Sequence, residues 1–288
     1  MAVVPIVADT QVGSTMALMP KKGWQRDDGN FAFPSLFQKK LHEQWEEYWD
    51  AVAKARKRDR LVVIHNGDVI DGYHHQTPQL ITRRNDEQER MFTVLWDNAL
   101  RKVKFDRRKD KQYFIRGTAA HADDGAQSEE RIARDFDAIP QFEGTADNDY
   151  KDGRYTHYHF RNKIDGVLFD VAHHGPNKGR RAWTSVNALF HTIRSVYFDC
   201  LEHDLPIPRW WIRGHNHRHI QATYEGEHGK ITGIVLPCWQ GDTDFIHRIS
   251  QGLEPKKKYG GLIFYVQNGQ TWFTKHLLEW QEYPIGEV

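Results

Sequence analysis

Four clusters of carboxylate, amide and imidazole side chains each follow directly after an apolar stretch that predicts a β-strand. The clusters are residues 9–11 (Asp-Thr-Gln), 67–71 (Gly-Asp-Val-Ile-Asp), 173–175 (His-His-Gly) and 214–217 (Gly-His-Asn-His). In α/β sheets, ligands gather at the C-terminal ends of the strands. The series therefore predicts a sheet that brings side chains from distant parts of the chain into one site, and the donor types favour a pair of metal ions.

The spacing of apolar residues predicts that strands and helices alternate early in the chain and that strands dominate later. The β-branched run at 61–64 is typical of a buried strand in a parallel sheet. Helices are predicted at 35–58, with Ser35 as the N-cap, and at 85–103, 127–136 and 183–200. The other predicted strands are 3–7, 112–116, 155–160 at an edge, 167–172, 209–212, 232–236, 262–266 and 271–276. This order favours an α/β fold in which helices cover a layered sheet.

Composition narrows the class of protein. The chain of 288 residues is long enough for one large domain, which we expect to span residues 1–288. It contains no run of about 18 apolar residues, so no transmembrane helix and no membrane partner are expected. Its two cysteines favour a reducing compartment. The net charge of +1 argues against polyanion binding by the whole surface. The basic runs at 54–60, 101–111 and 256–258 leave two interpretations open, a solvated surface or a phosphate-facing patch.

Asp68 is the leading candidate for a carboxylate that two metal ions share. It directly follows a predicted buried strand, and Gly67 allows the backbone to turn there without a side-chain clash. Asp71 is better placed to orient a neighbouring ligand through a hydrogen bond. The alternative for this cluster is a turn that an aspartate caps.

Two further pairs of candidate ligands are spaced two residues apart. In an extended segment such residues point the same way, so Asp9 and Gln11 would face one cation. The alternative for this pair is a turn that begins at the aspartate. His215 and His217 would serve one ion together or one ion each, whereas His219 is expected to flank the site.

The remaining cluster contains two adjacent histidines, of which one is expected to face the site. We select His174 because it precedes Gly175. The alternative is a histidine that is hydrogen-bonded within the core. Because all four clusters occupy equivalent positions after predicted strands, together they favour a dinuclear metal site.

These residues resemble the calcineurin-like metallophosphoesterase family, in particular its phage and prophage members. The family pattern is DxH, GDxxD, GNH(D/E), an isolated His and GHxH, in that order. The corresponding segments here are residues 9–11, 67–71, 117–121, His174 and 214–217. The GDxxD and GHxH blocks are intact, and the match spans residues 9 to 217.

The resemblance implies a four-layer sandwich of two mixed β-sheets flanked by helices, and a dinuclear centre for hydrolysis of phosphoesters. The implied ligands are Asp9, Gln11, Asp68 and His217 for one ion, and Asp68, His174 and His215 for the other. A hydroxide that bridges the two ions would attack phosphorus in line, while a nearby histidine stabilises or protonates the leaving oxygen. The implied location is the cytoplasm of a bacterial or phage-infected cell.

Two departures from the family pattern affect these expectations. Gln11 stands where the family has histidine, and its oxygen donor favours Mn²⁺ or Mg²⁺ over Zn²⁺. The expected cofactor is two divalent ions, with Mn²⁺ as the leading choice and Mg²⁺, iron and Zn²⁺ as alternatives. In the GNH block, Thr118 replaces asparagine, and two alanines separate it from His121. We expect His121 and Asp71 to be catalytic and Thr118 to be a weak candidate ligand.

The predicted substrate is a phosphodiester, with DNA or RNA as the leading class. Tyr73, His74 and His75 follow the GDxxD block and are expected to line the cleft, and Trp239 is expected to stack on a base, although packing is the alternative for each of them. One alternative function is a phosphomonoesterase that acts on a small molecule or a phosphoprotein. The other is a metal-binding or nucleic-acid-binding protein with little catalysis.

Overall fold

The computed structural model describes residues 1–74, 77–122, 126–141, 154–176, 184, 186–244, 246 and 256–281, which contain thirteen strands and five helices. The strands are β1 (Ala2–Val7), β2 (Trp24–Gln25), β3 (Phe31–Ala32), β4 (Arg60–Asn66), β5 (Lys111–Ile115), β6 (Thr156–His157), β7 (Phe160–Ile164), β8 (Val167–Val171), β9 (Trp210–Arg213), β10 (Ile220–Gly226), β11 (Gly229–Val235), β12 (Lys256–Gln267) and β13 (Gln270–Gln281). The helices are α1 (Leu36–Arg56), α2 (Asn85–Lys102), α3 (Ala119–Ala122), α4 (Gln127–Asp135) and α5 (Asn187–Glu202).

Two larger sheets form the centre of the fold, and both are mixed. The first has the order β13-β12-β1-β4-β5-β6, in which β1, β4, β5 and β6 are parallel and β12 is antiparallel to both of its neighbours. The second has the order β10-β11-β9-β8-β7, in which β11, β9 and β8 are parallel and the two outer strands are antiparallel. Strands β2 and β3 form a small separate hairpin.

The two sheets pack face to face through an apolar core. In β1, Val4 and Ile6 contribute to this core together with Ile212 of β9, whereas Val3 and Val7 belong to the cluster on the opposite face. This division follows from the alternation of side chains along a strand. A strand that is apolar on both faces, as β1 is, must therefore lie between two layers.

Helices cover both outer faces. On the first sheet, Trp45 and Trp49 of α1 pack edge to face with each other, and Trp49 packs in the same way on Trp96 of α2. On the second sheet, Leu189 and Ile193 of α5 are fully buried. The order helix, sheet, sheet, helix confirms the predicted α/β sandwich with four layers. None of the five described helices is both long and apolar enough to cross a bilayer.

The start of α1 follows the predicted cap. The Ser35 side chain accepts a hydrogen bond from the Gln38 backbone N–H, and the Gln38 side chain accepts one from the Ser35 backbone N–H. This reciprocal capping box satisfies two donors that the first helical turn would otherwise leave unpaired.

The predicted edge strand at 155–160 is wrong in one respect, because two strands share this segment. Thr156–His157 pairs with β5 in the first sheet, whereas Phe160 begins β7 in the second sheet. The chain therefore crosses from one sheet to the other here. Strand β10 (Ile220–Gly226) was not predicted, although its buried and exposed residues begin in alternation.

Candidate metal centre

Backbone hydrogen bonds join the loops that follow different strands. The Asp9 N–H donates to the Gly67 carbonyl at 3.0 Å, which ties the end of β1 to the end of β4. The Gly214 N–H donates to the His173 carbonyl at 2.9 Å, which ties the end of β9 to the end of β8. The Trp239 N–H donates to the Asp9 carbonyl at 3.0 Å. Strand ends from both sheets therefore meet at one edge of the sandwich.

Five predicted ligands have left-handed backbone conformations. The φ angles are 53° at Asp9, 39° at Gln11, 53° at Asp68, 68° at His215 and 50° at His217. L-residues adopt such conformations at a cost, and these conformations cluster at functional sites where the surroundings impose them. The expectation that Asp9 with Gln11, and His215 with His217, lie in extended segments is therefore wrong. The backbone leaves the strand conformation before each pair.

Asp68 lies at the middle of one potential ligand group. Its Oδ2 is 3.0 Å from His173 Nε2 and 4.0 Å from His215 Nδ1, and the three side chains form a group that could hold a metal ion. His173 Nδ1 lies 2.7 Å from the Asn66 carbonyl oxygen, so this ring nitrogen carries the hydrogen. Nε2 is then the nitrogen that faces the group, as in the usual arrangement of a metal-binding histidine with a backbone partner.

Asp9 connects this group to His217. The distance from Asp9 Oδ1 to His217 Nε2 is 3.4 Å, and that from the same oxygen to His173 Nε2 is 3.9 Å. The Asp9 carboxylate also accepts hydrogen bonds from the His215 backbone N–H, at 3.1 and 3.2 Å. The structure therefore places Asp9, Asp68, His215 and His217 close together, and their roles as metal ligands stay a prediction.

The choice between the two adjacent histidines is corrected by the structure. His173 is buried and faces Asp68, whereas His174 is exposed, with its ring centroid 4.8 Å from that of His215. The space for His173 comes from distant glycines, because a Cβ atom on Gly67 would lie 2.5 Å from its Nδ1 and one on Gly214 would lie 3.2 Å from it. The neighbouring Gly175, on which the selection of His174 rested, does not provide this space.

The unsatisfied atoms of the centre fit a metal ion. Gln11 Oε1 is buried and has no hydrogen-bond partner among the described residues, and the buried atoms Asp68 Oδ2 and His173 Nε2 face each other at 3.0 Å without hydrogen-bond geometry. Buried polar atoms are seldom left without partners, and each exception requires an explanation. Two oxygens and one imidazole nitrogen are suitable donors for Mn²⁺, iron or Zn²⁺, and the oxygens also suit Mg²⁺.

The charge of the buried groups gives a second test of whether the centre suits metal ions. Asp9, Asp68, Asp71 and Glu129 are at most 2% exposed, and among the described residues none of them pairs with lysine or arginine. Uncompensated buried charge is costly. Burial by itself would lower the pKa of His173, but Asp68 and Asp9 outweigh it and raise this pKa to about 10. Divalent cations would supply the missing positive charge directly.

A second group lies beside the first and contains Asp71, His74 and His121. His121 Nδ1 lies 2.6 Å from the Asp71 carbonyl oxygen, and its Nε2 lies 3.1 Å from Gln11 Nε2 and 3.9 Å from Asp68 Oδ2. The two alanines before His121 lie in the short helix α3, which returns the imidazole to the centre. Burial is the main influence that lowers the pKa of His121.

Thr118 contacts Asp68 and orients it. The Thr118 backbone N–H and hydroxyl both donate to Asp68 Oδ1, at 2.7 and 3.0 Å. Thr118 therefore holds Asp68 through Oδ1, whereas His173 faces Oδ2 of the same carboxylate. A role for Thr118 as a ligand stays a prediction.

The residues predicted to contact substrate lie in different surroundings in the structure. Trp239 is fully buried, and its ring packs edge to face on Trp45 at 4.9 Å, so the expectation that it stacks on a base is wrong. Tyr73 is 47% exposed, and the Arg83 guanidinium lies 5.0 Å from its ring centroid. The prediction for His75 falls outside the described residues.

Sequence reasoning gave no functional role to Glu129, which supports the centre from α4. Its carboxylate accepts hydrogen bonds from the backbone N–H groups of Gly117 at 2.7 Å and Val69 at 3.3 Å. Burial, and then the charge of Asp68, raise its pKa to about 7. The sequence carries no distinctive signal for this contact, since a glutamate in the first turn of a helix is ordinary.

Comparisons with known proteins add little to this geometry. A scan against models of known protein families matches none of them, and a search of curated proteins finds no similar sequence. Among solved structures, Vacuolar Protein Sorting 29 from Cryptosporidium parvum aligns over 98% of each chain with a TM-score of 0.33 and 10% identity. Similarity at this level carries no argument about function. The fold and the site by themselves define a four-layer α/β protein with residue groups that could hold metal ions.

Replacing Gly67 with alanine should weaken Mn²⁺ binding by about 10- to 100-fold, the range that loss of a supporting contact usually produces. The added methyl group would press against His173 Nδ1 and the Gly117 backbone. Isothermal titration calorimetry on metal-free protein measures the effect. Gly166→Ala is the matched control, because its φ of +86° resembles the +78° of Gly67 but its surroundings are open. Equal losses in the two variants would contradict the assignment.

Proposed function

We propose that this chain is a metal-dependent phosphoester hydrolase. The observation that carries the proposal is the convergence of buried carboxylates from the first sheet with imidazoles from the second, of which His173 is buried and His215 is exposed, with no lysine or arginine paired to these carboxylates among the described residues. The motif order supports the same conclusion, because it resembles that of calcineurin-like metallophosphoesterases.

The residues fall into two overlapping ligand sets. The proposed sets are Asp9, Gln11, Asp68 and His217 for one ion, and Asp68, His173 and His215 for the other. When bound, two divalent ions lower the pKa of a water molecule and neutralise charge on phosphoryl oxygens. The amide oxygen of Gln11 favours Mn²⁺ in the first set, with Mg²⁺, iron and Zn²⁺ as alternatives.

His121 is the residue that we assign to the leaving oxygen. Its Nδ1 holds a hydrogen against the Asp71 carbonyl oxygen, which fixes the ring and leaves Nε2 on the side of Gln11 and Asp68. The Asp71 carboxylate, 3.7 Å from Nδ1 and held by Gln240 Nε2 at 2.9 Å, opposes the lowering of the pKa of His121 that burial causes. Nε2 faces the Gln11 amide nitrogen, which is a donor, so it would have to take up a proton before it could pass one to the leaving group.

The segment that follows the second ligand group offers contacts for a substrate larger than one phosphoryl group. A cavity of about 580 Å³ lies in this segment, and its lining contains none of the candidate ligands but combines Arg26 and Arg83 with Asp27, Asp28 and Glu87. The Thr77 N–H at the start of this lining donates to the His74 carbonyl at 3.1 Å. The exposed ring of Tyr73 lies under Arg83 in the same loop. An arginine beside an aromatic ring suits the phosphates and bases of nucleic acid, so we favour a phosphodiester substrate of DNA or RNA.

A second candidate function is metal binding without turnover. Thr118 replaces the asparagine of the family pattern, and both of its donors are directed at Asp68. A centre without that amide ligand would hold its second ion less tightly. Such a protein would bind Mn²⁺ and hydrolyse no ester.

The adjacent histidines provide a matched pair of variants. His173→Ala should lower hydrolysis of bis(4-nitrophenyl) phosphate by more than about 100-fold, because even the loss of outer partners of a metal ligand costs about 10- to 100-fold. His174→Ala should retain most of the activity, since that side chain lies at the exposed rim. Initial rates at saturating Mn²⁺ measure both, and the reverse order would contradict the ligand set.

The substrate class is tested by comparing esters. A diesterase should hydrolyse bis(4-nitrophenyl) phosphate well above 4-nitrophenyl phosphate, and it should shorten a fluorescent oligonucleotide. The reaction with metal chelated by EDTA is the control. Faster turnover of the monoester, with the oligonucleotide intact, would favour the phosphomonoesterase alternative.

His121→Ala separates catalysis from binding. Loss of a positioned acid or base commonly costs about 10²- to 10⁴-fold in rate. We expect a fall in kcat of that order with Mn²⁺ affinity retained, measured by steady-state kinetics and by calorimetry. Unchanged turnover would remove His121 from the reaction, and a wild-type protein that binds Mn²⁺ without hydrolysing any ester would favour the second candidate function.

A further inference from the structure

Glu129 is a buried acid that the proposed reaction does not use. It lies in the first turn of α4 and is fully buried, and among the described residues it makes no ion pair. A carboxylate in such a position is costly unless something offsets its charge. The two hydrogen bonds that it accepts compensate part of that cost, and they identify what the side chain holds.

One hydrogen-bond donor belongs to the loop that carries Asp68, and the other belongs to the loop that contacts Asp68. The Val69 N–H is the peptide group directly after Asp68, whose backbone is left-handed. The Gly117 N–H lies directly before Thr118, which donates to Asp68 Oδ1 through its N–H and its hydroxyl. One carboxylate therefore links the loop after β4 to the loop after β5, behind the candidate ligand.

Glu129 is one of four buried carboxylates around the centre, together with Asp9, Asp68 and Asp71. An amide at this position would offer a single acceptor oxygen for two N–H groups and would contribute no charge, so glutamate suits both requirements better than glutamine.

We propose that Glu129 is a positioning residue of the metal centre, which fixes Asp68 through the Val69 and Gly117 peptide groups and adds a negative charge that strengthens cation binding. The inference rests on the metal binding that the proposed function requires, and not on any substrate. The competing explanation is that Glu129 only stabilises the start of α4, as an acid in the first helical turn does.

The next residue offers a matched control. Glu130 lies in the same helical turn, but its carboxylate accepts hydrogen bonds from the Tyr155 N–H at 2.8 Å and the Thr156 N–H at 3.2 Å and pairs with Arg116 at 2.8 Å. These contacts join α4 to β6 and to Arg116 just after β5, and none of them reaches the Val69 or Gly117 N–H groups that Glu129 holds. Glu129→Gln and Glu130→Gln therefore make the same chemical change at adjacent positions with different partners.

The test measures Mn²⁺ affinity by calorimetry and the thermal midpoint of metal-free protein for both variants. We expect Glu129→Gln to weaken Mn²⁺ binding by about 10- to 100-fold without lowering the metal-free midpoint below that of Glu130→Gln. We expect Glu130→Gln to bind Mn²⁺ as the wild type does. Wild-type affinity in Glu129→Gln, or equal weakening in both variants, would overturn the inference.

A second variant keeps the test decisive if Glu129→Gln does not fold. Glu129→Asp retains the charge but is one methylene too short to reach both N–H groups, so Mn²⁺ binding should again weaken. Wild-type affinity in this variant would overturn the positioning role. If the wild-type protein does not bind Mn²⁺, the proposed function and this inference both fail. If the wild type binds Mn²⁺ and Glu129→Gln binds it equally well, only this inference fails.

Discussion

Buried negative charge is the constraint on which this centre depends. Asp9, Asp68, Asp71 and Glu129 lie where the loops of the two sheets meet, and the imidazoles around them are their only ionisable partners of opposite charge among the described residues. Water cannot solvate these groups, so the protein must offset their charge by hydrogen bonds and bound cations. The backbone N–H groups of His215, Thr118 and Val69 are directed at these carboxylates for this reason.

Sheet topology determines which residues can place their side chains in the metal centre. Parallel strands end at the same edge, so β1, β4 and β5 deliver their loops together, and β8 and β9 do the same from the facing sheet. The apolar core between the sheets holds the two edges against each other. The strands therefore position the loops, and the loops adopt conformations that a strand could not continue. Helix α4 contributes through Glu129, which reaches the ligand loops from behind.

Much of the fold could be predicted from local patterns, because strand and helix periodicity and the Ser35 cap are properties of contiguous residues. The predicted convergence of Asp9, Asp68 and His217 also followed from their positions after strands. The orientation of His173 could not be predicted, since it depends on space beside Gly67 and Gly214, far away in the sequence. Trp239 was misjudged for a similar reason: proximity to a strand end does not reveal that α1 covers the ring.

The left-handed backbone at the candidate ligands has a consequence for how an ion would be captured. The conformational cost of these loops is met by the folded sandwich, so the donors are arranged before any cation arrives. Small metal domains that fold around their ion behave differently, because there the ion drives folding. Here preorganisation would remove the cost of ordering the loops and leave dehydration of the ion as the main cost of its entry.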